Sequence, residues 1–492
     1  MIRRALLAGA LSLGLAAAST AALAQASGPT VKIHQGALQG ATSDGVSTYL
    51  GIPYAAPPVG ELRWRLPAPG PTWTGARDAT KPGASCEKEV EDCLYLNVTT
   101  PAGAKPGAKL PVMVWIHGGG FVIGTSMGSF GATHDGSEFA RKGVITVTLN
   151  YRLGHAGFFA HPAIDREGHT ANYGLADQIA ALKWVKANIG AFGGDASNVT
   201  IFGESAGGIS VLYLMLTPEA KGLFQKAIGE SSFPRHMPNS VEKADGMGVR
   251  AAKAAGVDGS DAATAAALRA LPLTKMPYEG GFVERAQPIL DHKLIVSGIA
   301  QGFAAGRQTK VPLIVGGNSN EASLFRPKAT DFDALPAAQQ KAVAAAYDPE
   351  NSGAKLKIMN DLVTDTYITE PDRNLARAAT KAGEPVWLYF FSFTPEKGRA
   401  TSMGAGHVTE VRSVWGGEKQ KFAPEEVALS KSMNAYWAAF AKSGAPDSAG
   451  GPAWPKFDAA HEASIEFGVD GVHPREHQFK TRLDVAEKLQ PK

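Results

Sequence analysis

Cysteine, long apolar runs and strong net charge are all scarce in this chain. Cys86 and Cys93 are its only cysteines, and its 492 residues carry a formal charge of +3, which falls to +1 if Arg3 and Arg4 leave with a signal segment. Such a near-neutral protein gives no reason to expect nucleic acid or an acidic membrane as a partner. After the first residues, no apolar run reaches the roughly 18 residues that a membrane-spanning helix needs, so no span is predicted.

The composition is that of a globular protein. Hydrophobic residues make up 44% of the chain and charged residues 19%, and we find no internal repeat. These values exclude a disordered chain, a fibrous repeat and a solenoid. The length alone permits either one large α/β domain built around a single sheet or three small domains.

The first residues have the layout of a secretory signal peptide. Arg3 and Arg4 precede an apolar run that ends in the small residues A-L-A at Ala24. A membrane anchor is the alternative, but the run is rich in alanine and closes on a cleavable site. We therefore predict a signal peptide over residues 1–24, a single catalytic domain over 25–492, and export to the periplasm or the medium.

The two cysteines are predicted to form a disulfide. In an oxidising compartment an even pair usually bridges, and Cys86 and Cys93 are the pair available. The alternative, half of a zinc site, would need a second pair of soft ligands nearby, which the sequence lacks. We expect no metal and no cofactor.

Strand patterns alternate with helix patterns through the middle of the chain. The apolar runs "LPVMVWI", "VITVTL", "NVTIF", "PLIVGG" and "PVWLYFF" are typical of buried strands. An amphipathic helix is predicted within residues 172–190, and an apolar helix follows "GESAGG". This alternation predicts an α/β fold with a large, mostly parallel sheet, helices on both faces, and helical insertions over the site between about 235 and 380.

The motif G-x-S-x-G occurs twice, as "GTSMG" around Ser126 and as "GESAG" around Ser205. In a nucleophile elbow the serine sits between a strand and a helix, and the two glycines make room for that sharp turn. "NVTIF" precedes Ser205 and "ISVLYLML" follows it, whereas Ser126 has neither a clean strand before it nor an apolar helix after it. Ser205 is the predicted nucleophile.

A serine hydroxyl needs a base and an acid that orients the base. In this type of fold the acid and then the histidine follow the serine, each in a loop after a strand. Glu321 follows "VPLIVGG" and His407 follows "EPVWLYFFSF", so these two are the predicted acid and base. Glu204 and Glu410 are competing partners for the histidine, but both break the chain order.

Donors for an oxyanion are offered by the loop "HGGG" and by the start of the helix at Ala206. The glycines of this loop, Gly118 to Gly120, present backbone N–H groups with no Cβ to block approach. A strand followed by a glycine-rich loop also begins the dinucleotide-binding motif. That alternative needs a helix directly after the glycines and an acid at the end of the next strand, but the glycines continue to Gly131 and the next strand ends in Asn150.

These residues resemble the type-B carboxylesterase and cholinesterase family of α/β-hydrolases. The resemblance covers most of the chain and rests on the blocks "YLGIPYAAPPVGELRW", "EDCLYLNV", "HGGGF", "NYGLADQIAALKWVKANI", "TIFGESAGG", "NSNEA", "GAGH" and "YWAAFAKSGAP". It implies hydrolysis of small-molecule carboxylic esters through an acyl-serine intermediate. The residues that it implies are the triad Ser205, Glu321 and His407, the oxyanion donors Gly119, Gly120 and Ala206, and a Cys86–Cys93 bridge.

Three departures from the family pattern bear on the pocket. The cysteine loop is shorter than in cholinesterases and lacks their choline-binding tryptophan, so choline esters are not expected to be dedicated substrates. Val408 follows the histidine where glycine is usual, and Ala322 follows the acid where glycine is common.

Three questions about function stay open in the sequence. Family members without a complete triad act as adhesion or hormone-precursor domains, so a binding-only role is an alternative, as is acyl transfer to alcohols on the same triad. Arg235 and Arg412 would reach a carboxylated substrate if they face the site, although an ion pair is the commoner fate of such residues. Nothing in the sequence indicates the oligomeric state.

Overall fold

A computed structural model describes residues 28–168, 170–281, 285–447 and 450–490. The predicted signal segment, residues 1–24, lies outside the described residues. Within these ranges, no helix is both long enough and apolar enough to cross a bilayer.

Strands form one large sheet and three small ones in the described chain. The strands are β1 Thr30–Ile33, β2 Gly36–Gln39, β3 Ala41–Ser43, β4 Val46–Pro53, β5 Ala76–Asp78, β6 Tyr95–Pro101, β7 Leu110–Ile116, β8 Gly128–Ser129, β9 Ala132–Thr133, β10 Ile145–Leu149, β11 Gly194–Glu204, β12 Lys226–Glu230, β13 Asn239–Ser240, β14 Ile289–Leu290, β15 Leu313–Asn318, β16 Val386–Phe391, β17 Ser464–Gly468 and β18 Gly471–Arg475. The large sheet has eleven strands in the order β18-β17-β16-β15-β12-β11-β7-β10-β6-β4-β3.

The centre of the large sheet is parallel and its two ends are antiparallel. Strands β10, β7, β11, β12, β15, β16 and β17 pair in parallel register. Strands β3, β4 and β6 close one end and β18 closes the other in antiparallel register. The predicted mostly parallel sheet is confirmed. Because parallel strands end on the same edge, the loops after β7, β11, β12, β15 and β16 converge there.

Helices cover both faces of this sheet. They are α1 Ser137–Arg141, α2 Gly154–Gly157, α3 Pro162–Asp165, α4 Tyr173–Asn188, α5 Ala206–Leu216, α6 Val241–Ala254, α7 Ala262–Ala270, α8 Ile299–Ala304, α9 Ala329–Asp333, α10 Ala337–Tyr347, α11 Lys355–Thr364, α12 Glu370–Lys381, α13 Val411–Trp415, α14 Glu426–Ser443 and α15 Lys480–Leu489. A π-helical turn, Asp365–Thr369, joins α11 to α12.

Side chains of the central strands alternate between the two faces of the sheet, and the hydrophobic core forms one cluster on each face. On β7, Val112 and Val114 pack into one cluster with α4 and α5, while Met113 and Trp115 pack into a second cluster with α13 and α14. Successive side chains of a strand point to opposite faces, so a continuous apolar strand serves two helical layers.

Helix α4 differs from its predicted amphipathic pattern. Lys183 and Lys186 are exposed, but Asp177 and Gln178 are buried with most of the remaining helix. Asp177 is buried because it pairs with Arg152, whose Nη2 lies 2.8 Å from Asp177 Oδ1. The helix is therefore buried on most of its circumference.

Candidate active site

Ser205 lies at a strained turn between β11 and α5. Its φ of 56° and ψ of −121° are rare for a residue with a side chain, and such strain is found at functional sites. A Cβ at Gly203 would lie 2.5 Å from Ile116 O, and one at Gly207 would lie 2.0 Å from the same atom. Glycines two positions before and after the serine are therefore required for β7 and the elbow to pack together.

His407 and Glu321 meet Ser205 at the carboxyl edge of the sheet. His407 Nε2 lies 2.9 Å from Ser205 Oγ, and His407 Nδ1 lies 2.6 Å from Glu321 Oε2. A hydrogen bond fixes the backbone of the histidine loop: His407 N–H donates to Ser323 Oγ at 2.9 Å. The structure thus brings the three predicted residues into one hydrogen-bonded chain.

Two residues that the sequence analysis did not single out hold the acid in place. Glu321 Oε1 accepts hydrogen bonds from Ser231 Oγ at 2.6 Å and from the backbone N–H of Asn318 at 2.7 Å. Ser231 follows β12 and Asn318 ends β15, and these strands are neighbours in the sheet. One carboxylate oxygen is therefore fixed by the sheet edge while the other faces His407.

Three further buried glutamates surround the triad. Glu204 Oε1 lies 3.2 Å from His407 Nε2, Trp437 Nε1 donates to Glu230 at 2.7 Å, and Asn318 donates to Glu410. Burial raises the pKa of Glu204 and of Glu230 well above the usual glutamate value, and burial together with the charge of Glu321 raises the pKa of Glu410 to about 7. The sequence analysis named Glu204 and Glu410 as competitors for His407, and Glu321 is the one that reaches Nδ1.

The acids around His407 favour its protonated form. Burial lowers the pKa of His407, but the carboxylates of Glu204 and Glu321 raise it by more, so the net pKa lies above the ordinary histidine value. An imidazolium that forms on Nε2 is therefore stabilised in this site.

The glycine loop after β7 turns sharply beside the elbow. Gly119 and Gly120 have φ of 109° and 60°, and the N–H of Val122 returns to Gly119 O at 3.0 Å. A Cβ at Gly118 would lie 2.6 Å from Glu204 O and 3.2 Å from Ser205 Cβ. Ala206 begins α5, so its N–H has no acceptor within the helix. Backbone donors from both segments therefore lie beside the serine.

Ser126, the serine of the other G-x-S-x-G, is buried, and its hydroxyl bonds an amide side chain. Asn97 Nδ2 donates to its Oγ at 3.0 Å, and its backbone N–H donates to Asn150 Oδ1 at 2.8 Å. These contacts hold the end of the glycine loop.

The disulfide between Cys86 and Cys93 is present and closes a loop that touches the glycine loop. Glu87 Oε1, within the disulfide loop, accepts from the N–H of Gly124 at 2.8 Å. Glu91 pairs with Arg63 at 2.6 Å. The cross-linked loop thus holds the far end of the segment that carries Gly119 and Gly120.

Arg235 and Arg412 are both engaged by buried carboxylates. Arg235 Nη2 lies 2.7 Å from Glu370 Oε1, and Arg412 Nε lies 2.8 Å from Glu426 Oε1. Both glutamate side chains are fully buried, so each arginine neutralises a charge of the scaffold.

Aromatic rings lead outward from the histidine. The Phe233 ring lies 5.8 Å from the His407 ring and 6.2 Å from that of Phe325, which stacks on Tyr367 at 4.2 Å. Tyr367 is 45% exposed, so the row reaches the surface. This wall fits an apolar substituent of a bound molecule. Among the described residues, no group of three or more His, Cys, Asp or Glu is arranged to hold a metal ion.

A strand-to-helix serine at the carboxyl edge of a mostly parallel sheet, followed in the chain by an acid and a histidine, defines a serine hydrolase of the α/β-hydrolase fold. The model of the carboxylesterase family matches residues 27–485. The chain belongs to that family, and the relatives named below are esterases.

Individual relatives resemble it over nearly their whole length. The chain is 34% identical to fumonisin B1 esterase of Sphingopyxis macrogoltabida, covering 91% of this chain and 88% of that one. It is 36% identical to para-nitrobenzyl esterase of Bacillus subtilis, with 89% and 93% covered. A solved structure of a PNB esterase superimposes with a TM-score of 0.78 at 33% identity, covering 92% of this chain and 99% of that one.

Proposed function

We propose that this protein hydrolyses small-molecule carboxylic esters through an acyl-serine intermediate, with Ser205 as nucleophile, His407 as base and Glu321 as acid. The observation that carries the proposal is the hydrogen-bonded chain from Ser205 Oγ through His407 to Glu321, with spacings of 2.9 and 2.6 Å. Residues 25–492 act as the catalytic domain.

In the first half of the reaction, Ser205 Oγ attacks the ester carbonyl carbon and His407 Nε2 takes the hydroxyl proton. Glu321 holds the histidine with its Nε2 facing the serine and stabilises the imidazolium. The tetrahedral intermediate collapses when the alcohol leaves with the proton from Nε2. The acyl group then remains bound to Ser205 Oγ.

The developing oxyanion is bound by the N–H groups of Gly119, Gly120 and Ala206. Two come from the glycine loop and one from the first turn of α5. Removing one donor of this kind lowers the rate by about 10² to 10³-fold.

In the second half, water replaces the alcohol. His407 Nε2 takes one proton of the water, the hydroxide attacks the acyl carbon, and the bond to Ser205 Oγ breaks as the serine regains its proton. The products are the free acid and the free enzyme.

The substrate class follows from the wall of the site. The row of Phe233, Phe325 and Tyr367 suits an ester with an aromatic or extended apolar part. Because Arg235 and Arg412 are held by Glu370 and Glu426, selection of a carboxylated ester is not assigned to either arginine.

We assign export to residues 1–24, acting as a signal peptide. The Cys86–Cys93 disulfide supports this assignment, because such bonds persist mainly in oxidising compartments. Comparing the mass of the mature protein recovered outside the cytoplasm with that of the full chain tests cleavage after Ala24.

Ser205→Ala tests the mechanism. Hydrolysis of para-nitrophenyl acetate should fall by about 10⁴-fold or more, and the wild-type protein should show a burst of nitrophenolate that marks the acyl-enzyme. Mass spectrometry of the quenched wild-type enzyme should find the acetyl group on the peptide containing Ser205.

Ser126→Ala is the matched control, because it removes the other serine of the same motif. It should retain turnover. An inactive Ser126→Ala with an active Ser205→Ala would contradict the assignment, and a folded wild-type protein without ester turnover would favour a binding-only role.

A further inference from the structure

A cavity of about 40 Å³ lies beside β15 and β16, the strands that precede Glu321 and His407 in the chain. Its wall includes Gly317 on β15, Tyr389 on β16, Thr369 at the end of the π-helical turn, and Asp372 and Arg373 on α12. None of these residues belongs to the catalytic assignment made above.

Two residues of the wall carry polar atoms that have no hydrogen-bond partner among the described residues. These atoms are both carboxyl oxygens of Asp372 and Nε of Arg373. Both residues are at most 3% exposed. Buried polar groups are rarely left unpaired, so three such atoms on the wall of one cavity indicate a bound polar species.

The cavity is separated from Glu321 by a glycine. A Cβ on Gly317 would lie 2.9 Å from Glu321 Oε1 and 2.4 Å from Ile368 Cγ2. The backbone of Gly317 is therefore in close contact with the oxygen that Ser231 and Asn318 also hold. Movement of this wall would be transmitted to the carboxylate that orients His407.

The charges around Asp372 do not compensate a carboxylate. Burial raises its pKa well above the usual range, and the negative charges of Glu321 and Glu370 raise it further. The charged and titratable groups on the elements packed around it include Glu321, Glu370, Arg373, Tyr389 and Glu462, together with Asp484, Glu487 and the ion pair of Arg482 with Asp365. Arg373 forms ion pairs with Asp484 and Glu487 at 2.8 and 2.9 Å, and Glu370 forms an ion pair with Arg235. We therefore take the Asp372 side chain in the cavity wall to be a protonated carboxylic acid, which can both donate and accept a hydrogen bond.

We propose that this cavity is a water-binding site organised by Asp372, and that Asp372 is a positioning residue for the catalytic acid. A volume of this size holds about three waters at roughly 10–15 Å³ each. The Asp372 hydroxyl donates to one water, and another water accepts a hydrogen bond from Arg373 Nε. The network fixes α12 and β15 at Gly317, against which Glu321 rests. The inference rests on the proposed role of Glu321.

Water is favoured over a metal cation as the occupant. A guanidinium N–H in the wall repels a cation, whereas water accepts from Arg373 and donates to Asp372 at the same time. A protonated acid is also a poor metal ligand, because a coordinating carboxylate must lose its proton.

Asp372→Leu and Asp372→Asn form the kinetic test. The leucine variant cannot hold water, so kcat should fall about fivefold as Glu321 loosens, with KM unchanged. The asparagine variant keeps a donor and an acceptor without altering the charge, so kcat and the acid limb of the pH profile should stay close to wild type. Wild-type kcat in a folded Asp372→Leu, or a shifted acid limb in Asp372→Asn, would overturn the proposal.

An infrared measurement separates this proposal from the catalytic one. In the Ser205→Ala background, the difference spectrum between Asp372 and Asp372→Asn proteins at neutral pH should contain the C=O stretch of one protonated carboxylic acid. Appearance of a carboxylate band instead would overturn the proposal, whether or not the wild-type protein hydrolyses esters. Presence of the acid band in a protein without ester turnover would contradict only the proposed function.

Discussion

Glu204 Oε1 lies 3.2 Å from His407 Nε2, the same nitrogen that lies 2.9 Å from Ser205 Oγ. His407, the proposed base, therefore has a carboxyl group on each side: Glu321 at Nδ1, and Glu204 at Nε2. Glu204 directly precedes Ser205, the proposed nucleophile, so the turn that presents the serine also positions this second acid. An imidazolium formed during the reaction is stabilised from both nitrogens.

Glu204→Gln should move the acid limb of kcat/KM to lower pH. The base works only when unprotonated, so activity is lost as pH falls through the pKa of His407, which the neighbouring carboxylates raise. Removing one of them lowers that pKa, and activity then persists at lower pH. The full pH profile on a neutral ester measures the shift.

Glu476→Gln is the control for this shift, because it removes the same charge from an exposed residue just after the edge strand β18. Screening by solvent should leave its acid limb where the wild type has it. An unmoved limb in Glu204→Gln would mean that Glu204 carries no charge at the pH where His407 titrates.

The order of strands and acids in the sequence was sufficient to select the residues that meet at the site. Glu321 and His407 each follow a strand that ends at the same sheet edge, and that rule set aside Glu410, which lies in the histidine loop itself. Ser231 was not predicted because its contact with Glu321 spans 90 residues and depends on the adjacency of β12 and β15. Such adjacency is a property of the sheet order, which local patterns do not encode.

Arg412→Ala should destabilise the fold and leave selectivity unchanged. Glu426 is fully buried, and its partner is Arg412 at 2.8 Å, so the variant leaves an uncompensated buried carboxyl. We expect a loss of about 2 kcal/mol in the free energy of unfolding, less than for a fully enclosed pair because Arg412 is partly exposed. Urea denaturation measures the loss.

The double variant Arg412→Ala with Glu426→Gln should recover part of that stability, since no charge is then left buried. Rates on neutral and carboxylated esters of similar size should change by the same factor in Arg412→Ala. A selective rise in KM for the carboxylated ester would instead assign Arg412 to substrate binding.

Loss of the disulfide should affect catalysis as well as stability. In Cys86→Ser with Cys93→Ser, the chain-entropy estimate for so short a loop gives a loss of about 2.5 kcal/mol. Because Glu87 in this loop accepts from Gly124, the glycine loop should also loosen, and kcat should fall while the protein remains folded. Glu87→Gln, which keeps the acceptor and the disulfide, should have nearly normal kcat. A double serine variant with wild-type kcat would show that the disulfide supports stability alone.

Val408 adopts a backbone conformation that a valine side chain disfavours. Its φ is 70°, a conformation that suits glycine and strains a β-branched residue. The family pattern has glycine here, and the departure was visible in the sequence, but its backbone consequence was not. Val408 packs against the core cluster that contains Trp415 and Val411, so apolar contact offsets part of the strain.

Val408→Gly should be more stable than Val408→Ala by about 1 kcal/mol, the reverse of the usual order, because only glycine adopts this φ without strain. Both variants lose the same apolar contacts apart from one methyl group, so the comparison isolates the backbone. Val414, six residues on and inside α13, is the matched control: there Val414→Gly should be less stable than Val414→Ala by about 1 kcal/mol. Thermal and urea unfolding of the four variants measure both differences. If Val408→Gly follows the helical order of Val414, the strain at this position is absent, and the valine is tolerated because the loop beside His407 adopts another conformation in solution.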